Sequence, residues 1–465
     1  MAAAGRYESG DGEREFRRMA KTFDLLLKNG IVVNHDGAGP RDIGVTAGRI
    51  VEIGALSDVD AGEVVDCAGL HVLPGVIDSQ VHFREPGATH KEDLETGSRA
   101  AVLGGVTAVF EMPNTNPLTT TAAAIEDKLA RARGRMFCDH AFYVGATHEN
   151  ARALAELELL PGVSGVKIFM GASTGDLLVP DDEGVREVLR HGRRRVAIHS
   201  EDESILRESK ARARAGDWTS HPEARPAEAA VASTKRLLRL ARETGRRIHV
   251  LHVSTADEIP LLAAAKDIAT AEATPQHLTL AAPDCYERLK GLAQMNPPVR
   301  DGAHRAGLWR GVAQGVIDVI GSDHAPHTRE EKDKPYPASP SGMPGVQTLL
   351  PLMLDHVAQG RLTLARLVDL VCHGPQRVFG IAGKGRLAVG YDADFTIVDL
   401  KARHTIAHAE QATKCGWTPF DGTTVTGWPV GTIIRGRRVM WDGEILGAPA
   451  GAPVRFQETL GAASA

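Results

Sequence analysis

The sequence predicts an α/β fold: a (β/α)8 barrel of the TIM type with a small β-sandwich domain formed by the N- and C-terminal segments. The first observation is a central region in which apolar strand candidates alternate with helical stretches. The second is that short strands with tight turns occupy both ends of the chain. The third is that polar residues follow the central strands at their carboxyl ends. An open doubly wound sheet is the less favoured alternative, because no glycine-rich dinucleotide motif follows any strand.

The chain ends supply the predicted sandwich. "FDLLLKNGIVV" places Asn29-Gly30 between two apolar runs and predicts a hairpin, and "DIGVTAGRIVEIG" repeats the pattern around Ala47-Gly48. The same texture returns in "GRLAVGYDADFTIVDL" and "GTIIRGRRVMWDGEIL". The predicted segments are a disordered tail at 1–18, a composite β-sandwich at 19–72 plus 386–450, a (β/α)8 barrel at 73–385, and a C-terminal tail at 451–465.

The central region supplies eight strand candidates for the barrel. They are "VLPGVIDSQVH", "VTAVFEMPN", "MFCDHAFYVGA", "VSGVKIF", "RRVAIHS", "RIHVLHVS", "DIATAEATP" and "GVIDVIGSD". Helical stretches such as "AAAIEDKLARARG", "DEGVREVLRHG" and "AEAAVASTKRLLRLARETG" lie between them. In such a barrel the catalytic groups sit at the carboxyl ends of the strands.

The composition argues against several classes of function. Hydrophobic residues make up 43% and charged residues 24%, and the net charge of -5 predicts no nucleic-acid partner and no acidic membrane partner. No apolar run is long enough to predict a membrane span. The five cysteines are scattered without a CxxC pair, so we expect a reducing, cytoplasmic compartment. The sequence does not distinguish between Met1 and Met19 as the first residue of the chain.

The residues at the predicted strand ends have metal-binding chemistry. They are Gln80 and His82 on strand one, Asn114 after strand two, Lys167 on strand four, His199 and His252 on strands five and six, His277 after strand seven, and Asp323, His324 and His327 at strand eight. Residues i and i+2 of a strand face the same side, so Gln80 and His82 point together into the barrel mouth. Imidazole nitrogens and carboxylate oxygens are preferred ligands of Zn²⁺ and similar ions.

Several segments resemble those of the dihydroorotases, within the cyclic amidohydrolase superfamily. They are "GVIDSQVHFREPG", "EMPNTNP", "VKIFM", "HVST", "ATPQHL", "QMNPPVR" and "GSDHAPHT". The resemblance spans nearly the whole chain outside the tails. Hydantoinases, dihydropyrimidinases and allantoinases share the metal frame, but they usually lack the arginine that stands here as Arg84.

The resemblance implies a metal site that holds one or two Zn²⁺ ions per chain. Its implied ligands are His82, Lys167, His199, His252 and Asp323, with Gln80 as a weak or absent ligand. A CO₂-derived carbamate on Lys167 would bridge two ions, since a buried, neutral lysine amine can react with CO₂. Gln80 departs from the family's first histidine, because an amide oxygen is a poorer zinc ligand than imidazole. Gln276 is a second departure, where the family often has histidine.

The resemblance also implies a substrate. Arg84, Asn114 and His327 would hold a ring carboxylate, with Ser341 and Gly342 of "SPSGMPG" as weaker candidates. Asp323 would move a proton from water to the leaving ring nitrogen. The implied reaction is the reversible conversion of (S)-dihydroorotate and water to N-carbamoyl-L-aspartate in pyrimidine biosynthesis.

Two alternatives stay open on the sequence. A hydantoinase, dihydropyrimidinase or allantoinase would use the same metal frame on another cyclic amide. A catalytically impaired scaffold for aspartate transcarbamoylase is the other alternative, and Gln80 motivates it. Family resemblance alone implies a homodimer.

Overall fold

The computed structural model describes residues 22–57, 59–173 and 177–460, so the tail predicted at 1–18 lies outside the described residues. The strands are β1 (Thr22–Lys28), β2 (Ile31–Asn34), β3 (Gly37–Pro40), β4 (Asp42–Thr46), β5 (Arg49–Gly54), β6 (Asp60–Asp66), β7 (His71–Pro74), β8 (Val76–Val81), β9 (Val106–Glu111), β10 (Asp139–Gly145), β11 (Val163–Phe169), β12 (Val196–His199), β13 (Ile248–Val250), β14 (Ala269–Ala273), β15 (Val319–Ile320), β16 (Phe395–Thr405), β17 (Thr424–Ile434), β18 (Arg437–Trp441) and β19 (Glu444–Ile445).

The α-helices are α1 (Leu94–Leu103), α2 (Ala122–Ala132), α3 (Leu154–Leu157), α4 (Asp182–Arg190), α5 (Glu203–Ser209), α6 (His221–Ala224), α7 (Ala227–Thr244), α8 (Glu258–Ala263), α9 (Pro275–Thr279), α10 (Asp284–Leu289), α11 (Gly302–Ala313), α12 (Arg329–Lys332), α13 (Leu349–Ala358), α14 (Leu364–Val368) and α15 (Gly374–Phe379). Among the described residues, no helix combines the length and the apolar character needed to cross a membrane.

The predicted barrel is confirmed. Strands β8 to β15 lie side by side in chain order and pair in parallel. The ring closes between its first and last strands, where Val81 bridges His324 and the His82 N–H donates to the His324 carbonyl at 2.7 Å. Strands β8 to β13 are buried along their whole length, as expected for parallel strands covered by helices. Every barrel strand therefore presents its carboxyl end at one rim.

Two further sheets form the predicted sandwich from both chain ends. One has the strand order β5-β4-β1-β6, and the other has the order β19-β18-β17-β16-β7-β2-β3. Their facing side chains share one apolar cluster, which includes Leu25, Ile43, Val72, Phe395 and Ile433. The predicted Ala47-Gly48 hairpin is confirmed, because β4 and β5 pair antiparallel around that turn.

The hairpin predicted at Asn29-Gly30 is wrong. Strand β1 pairs with β4 on one edge and β6 on the other, so no edge of it remains for β2. Strand β2 instead joins the second sheet, between β7 and β3. Asn29 makes the sharp change of direction with φ 62°, and its side chain donates to Asp66 at 2.9 Å. At the Asn-Gly pair the chain therefore passes from one sheet of the sandwich to the other.

The described part of the C-terminal segment, 451–460, packs against the barrel. Val454 and Phe456 are buried in a cluster with Phe110, Tyr143 and Phe379. The backbone of His140, at the start of β10, exchanges two hydrogen bonds with the segment, from its N–H to Ala452 and from Val454 N–H to its carbonyl. This segment therefore covers the rim opposite the polar strand ends.

A buried charge cluster joins the barrel to the sandwich. Lys384 Nζ contacts Asp139 at 2.6 Å, Asp392 at 3.1 Å and Asp394 at 2.5 Å, with every one of these side chains 5% exposed or less. Arg435 supplies a second cation to Asp139. Burial opposes the charge of Lys384, but the three carboxylates raise its pKa above the ordinary value. The cluster therefore adds charge contacts between the start of barrel strand β10 and the segments that carry Lys384, Asp394 and Arg435.

We expect Lys384→Met to lower the free energy of unfolding by about 3–5 kcal/mol, because three buried carboxylates would lose their shared cation. Denaturant unfolding would measure the change. Lys401→Met, at an exposed position on β16, is the control, and it should change stability by about 0.5 kcal/mol or less. Equal stability of the two variants would show that the cluster does not hold the two domains together.

Candidate active site

The polar strand ends line one cleft at the carboxyl rim of the barrel. The empty space in and above it is about 350 Å³, a volume that includes open solvent at the mouth. The lining residues are Gln80, His82, Arg84, Asn114, Lys167, Phe169, Ser173, His199, His252, Asn296, Asp323, Ala325, Ser341 and Gly342. The structure thus brings together every predicted site residue except His327, which lies just behind the lining and contacts Arg84 and Ser341.

Lys167, His199 and His252 form one pole of the cleft, here called the lysine pole. Lys167 lies on β11, and burial lowers its pKa to about 7, so a substantial neutral fraction exists near neutrality. Its Nζ lies 4.4 Å from the centre of the Phe169 ring. His199 Nδ1 and His252 Nε2 face each other at 3.0 Å. Burial lowers the pKa of both imidazoles, and neutral imidazole is the form that binds a metal.

Glu201 orients the lysine pole, and the sequence reasoning missed it. His199 Nε2 lies 2.8 Å from the buried Glu201 carboxylate, which Arg225 also contacts. Burial opposes ionisation of Glu201, but Arg225 and His199 together hold its pKa well below the ordinary value. The ionised carboxylate therefore accepts a hydrogen bond from the Nε2–H of His199 and leaves Nδ1 directed at His252. Its position two residues after His199 was the available signal.

Gln80, His82 and Asp323 form the second pole, here called the aspartate pole. Gln80 Nε2 donates to Asp323 Oδ1 at 2.9 Å, and His82 Nε2 lies 3.2 Å from the same oxygen. His82 Nδ1 lies 2.7 Å from Asn114 Oδ1. This contact orients the imidazole ring so that its other nitrogen, Nε2, faces Asp323. Asn114, predicted as a substrate ligand, thus also orients a predicted metal ligand.

The backbone is strained at the cleft. Arg84, His252 and Asp323 have φ values of 61°, 36° and 45°. Such left-handed conformations are unfavourable for residues with a Cβ, and they persist where the surrounding structure imposes them. All three residues directly follow or closely follow a barrel strand, so the strain turns their side chains into the cleft.

The donor set fits a divalent metal at the lysine pole. Within the described ranges, no group of three or more His, Cys, Asp or Glu side chains has an arrangement that could hold a metal ion, so the donors considered at this pole are two histidines and the Lys167 amine. Among the described residues, the buried His252 Nδ1 atom has no hydrogen-bond partner, and such an orphaned acceptor in a cleft is chemically suited to a cation. The His199 imidazole and the amine of Lys167 supply the other donors of this pole, while Gln80 Oε1, also without a partner in the described part of the chain, belongs to the aspartate pole.

Arg84 and the loop at 339–342 form the wall beyond the aspartate pole. The Arg84 guanidinium donates from Nε to the Pro326 carbonyl at 3.1 Å, and burial lowers its pKa to about 10. Gly342 has φ +134°, and a Cβ there would lie 2.4 Å from the Ala325 carbonyl, so only glycine fits. The buried Lys332 Nζ donates to the carbonyls of Gln294, Pro340 and Gly342 at 2.7–3.0 Å. Lys332 thereby ties the 339–342 loop to the segment that carries Asn296.

Asn296 and Lys332 are site residues that the sequence reasoning missed. Asn296 lies in "QMNPPVR", and that segment was the signal for it. Lys332 had no signal, because its charge suggested an exposed position. His277 and Gln276, in contrast, are structural: His277 contacts the Pro297 carbonyl at 3.0 Å, and Gln276 donates to the Ser322 carbonyl at 2.8 Å.

Comparisons with known proteins agree with this geometry. The sequence profile of the amidohydrolase family matches residues 71–439. The dihydroorotase of Halobacterium salinarum is 38% identical over 422 residues, which cover 89% of this chain and 96% of that protein. The allantoinase of Deinococcus radiodurans is 34% identical over 449 residues, covering 93% and 99%. The solved L-hydantoinase from Arthrobacter aurescens superimposes with a TM-score of 0.88 at 32% identity, covering 93% of this chain and 99% of that chain.

The matched range contains the whole barrel and, in the second sheet, strands β7, β16 and β17 with the first part of β18. The relatives named above are matched over nearly their full lengths, so the likeness includes the sandwich as well as the cleft. The chain therefore belongs to the amidohydrolase family and is a metal-dependent hydrolase of cyclic amides.

Proposed function

We propose that the chain is a dihydroorotase, which interconverts (S)-dihydroorotate and N-carbamoyl-L-aspartate in pyrimidine biosynthesis. The observation that carries the proposal is the buried Arg84 guanidinium on the cleft wall. Among the described residues, no carboxylate lies within 4.0 Å of it. A buried cation with no carboxylate in direct contact is matched by an anionic ligand, and the dihydroorotate ring carries a carboxylate.

The second candidate is a hydantoinase- or allantoinase-type activity. The likeness to the L-hydantoinase structure and to the allantoinase favours it. Hydantoin and dihydrouracil have no ring carboxylate, so Arg84 would have no partner among these substrates. That mismatch is the reason for placing dihydroorotate first.

In the proposed reaction Asp323 is the general base and then the general acid. Its carboxylate faces the cleft between Gln80 and His82, where it can take a proton from the attacking water and return it to the leaving ring nitrogen. His199, His252 and Lys167 would hold the metal, with Lys167 as a carbamate. When bound, a divalent ion such as Zn²⁺ supplies an activated water and polarises the ring carbonyl. Arg84 orients the substrate through its carboxylate.

Gln80 bears on the number of metal ions. The lysine pole has its own donors, so loss of an imidazole at position 80 weakens the aspartate pole alone. We therefore expect one tightly held ion per chain and a second that is held weakly. A homodimer, a cytoplasmic location and a non-catalytic association with aspartate transcarbamoylase stay predictions from the family resemblance.

Arg84→Met should lower kcat/KM for dihydroorotate by about 30-fold or more, because truncating one partner of a buried charge pair costs about 2–5 kcal/mol. Arg84→Lys should recover only part of the activity, since an ammonium cannot make the two parallel hydrogen bonds of a guanidinium. Arg403→Met, at an exposed position, is the matched control.

Steady-state assays with dihydroorotate, hydantoin and dihydrouracil decide between the two candidates. Turnover of the neutral substrates alone by the wild-type chain would replace the dihydroorotase proposal by the hydantoinase type. Turnover of none by metal-loaded protein would favour the scaffold.

Gln80→His should retain more metal than the wild-type chain after dialysis against a chelator, with affinity for the second ion higher by about 10–100-fold. Gln80→Leu, which removes the amide oxygen at similar size, should retain only the ion at the lysine pole. Elemental analysis of the dialysed proteins gives the metal content per chain. Equal retention by all three proteins would mean that position 80 is not a ligand.

A further inference from the structure

A cluster of basic side chains surrounds His327 behind the cleft wall. His327 Nδ1 lies 3.1 Å from Lys91 Nζ, and its Nε2 lies 3.3 Å from Arg84 Nη2. Lys332 is the third cation near the ring, and Glu331 is the facing carboxylate, at 3.6 Å from Nδ1. His327 is 2% exposed. Burial lowers its pKa well below the ordinary value, and Arg84, Lys332 and Lys91 add to that effect, so the imidazole is neutral near pH 7 and carries one ring proton.

The contact with Lys91 decides which ring nitrogen carries that proton. A lysine Nζ has hydrogen-bond donors and no acceptor, so His327 Nδ1 accepts and the proton sits on Nε2. The Ser341 carbonyl agrees with this assignment, because it lies 3.0 Å from Nε2 and can only accept. Lys91 is held in place by Glu331 at 2.9 Å. Two independent neighbours therefore select the same tautomer.

The tautomer controls the state of Arg84. With the proton on Nε2, His327 cannot accept from Arg84 Nη2, and that donor remains available to a ligand in the cleft. With the proton on Nδ1, the Nε2 lone pair would accept from Arg84 Nη2 and would repel the Ser341 carbonyl. The guanidinium would then be engaged by the protein, and the 339–342 loop would lose its contact with His327.

We propose that Lys91 is a positioning residue, which keeps the His327 proton on Nε2 and so keeps the Arg84 guanidinium available for the carboxylate of the substrate. The inference rests on the proposed function, because it needs a carboxylated ring as ligand. Lys91 itself lies outside the cleft lining, with its side chain 17% exposed. It acts on the substrate only through His327 and Arg84.

Binding of orotate, a planar ring with the same carboxylate, tests the proposal by isothermal titration calorimetry of the metal-loaded protein. Lys91→Met should weaken orotate binding about tenfold, the size expected for one charge-assisted hydrogen bond. KM for dihydroorotate should rise by a similar factor, while kcat changes by about threefold or less. Lys91→Arg should restore binding, because a guanidinium also only donates to Nδ1.

A double-mutant cycle separates this role from a structural one. In a His327→Ala background, Lys91→Met should change orotate affinity by about twofold or less, since the residue through which Lys91 acts is gone. Lys414→Met removes a surface ion pair with Asp93 and should leave affinity unchanged. If Lys91→Met does not fold, Lys91→Gln serves in the same cycle.

Two results would overturn the proposal: unchanged orotate affinity in the Lys91 variant, or the same loss with and without His327. A wild-type chain that binds no orotate would overturn this proposal together with the dihydroorotase function. A wild-type chain that binds orotate, with a Lys91 variant that binds it equally well, would overturn this proposal alone.

Discussion

The parallel pairing that closes the barrel between β8 and β15 is the constraint on which the site depends. The bridge from Val81 to His324 fixes the two strand ends side by side. It brings Gln80 and His82, at the end of the first barrel strand, against Asp323, which follows the last barrel strand. The same closure places Arg84 over the Pro326 carbonyl. Residues separated by about half of the chain thus share one cleft, because neighbouring strands are held about 5 Å apart.

Some buried cations of this molecule contact a carboxylate, and others do not. Away from the cleft, some buried cations have carboxylate partners, as Lys128 has with Glu111 and Lys384 with Asp394. In the cleft, Lys167 and Arg84 have no such partner among the described residues. The desolvation of an unpaired cation destabilises the fold. On the proposed function each of the two gains a partner on binding: CO₂ and a metal ion for Lys167, and a substrate anion for Arg84.

Local patterns in the sequence were sufficient for the barrel and for most of the cleft. The run "VSGVKIF" coincides with β11, and the strand-end residues from Gln80 to Asp323 line one cavity. Contacts between distant segments were not predictable in this way. The Asn29-Gly30 turn has hairpin chemistry, yet the edges of β1 are taken by β4 and β6. Lys91 and Glu201 gain their roles from neighbours that only the folded chain supplies.

The two functions of the cleft are built from different parts of the fold. The proposed metal-binding groups, Lys167, His199 and His252, lie on or just after strands β11, β12 and β13, whose positions the barrel fixes. Arg84, His327 and Ser341 lie on connecting loops, and the Trp417 indole of the segment between β16 and β17 donates to the His327 carbonyl at 2.8 Å. Loops can change without cost to the barrel. On the proposed function, the wall that carries Arg84 can therefore differ with the cyclic amide substrate, whereas the lysine pole can stay as it is.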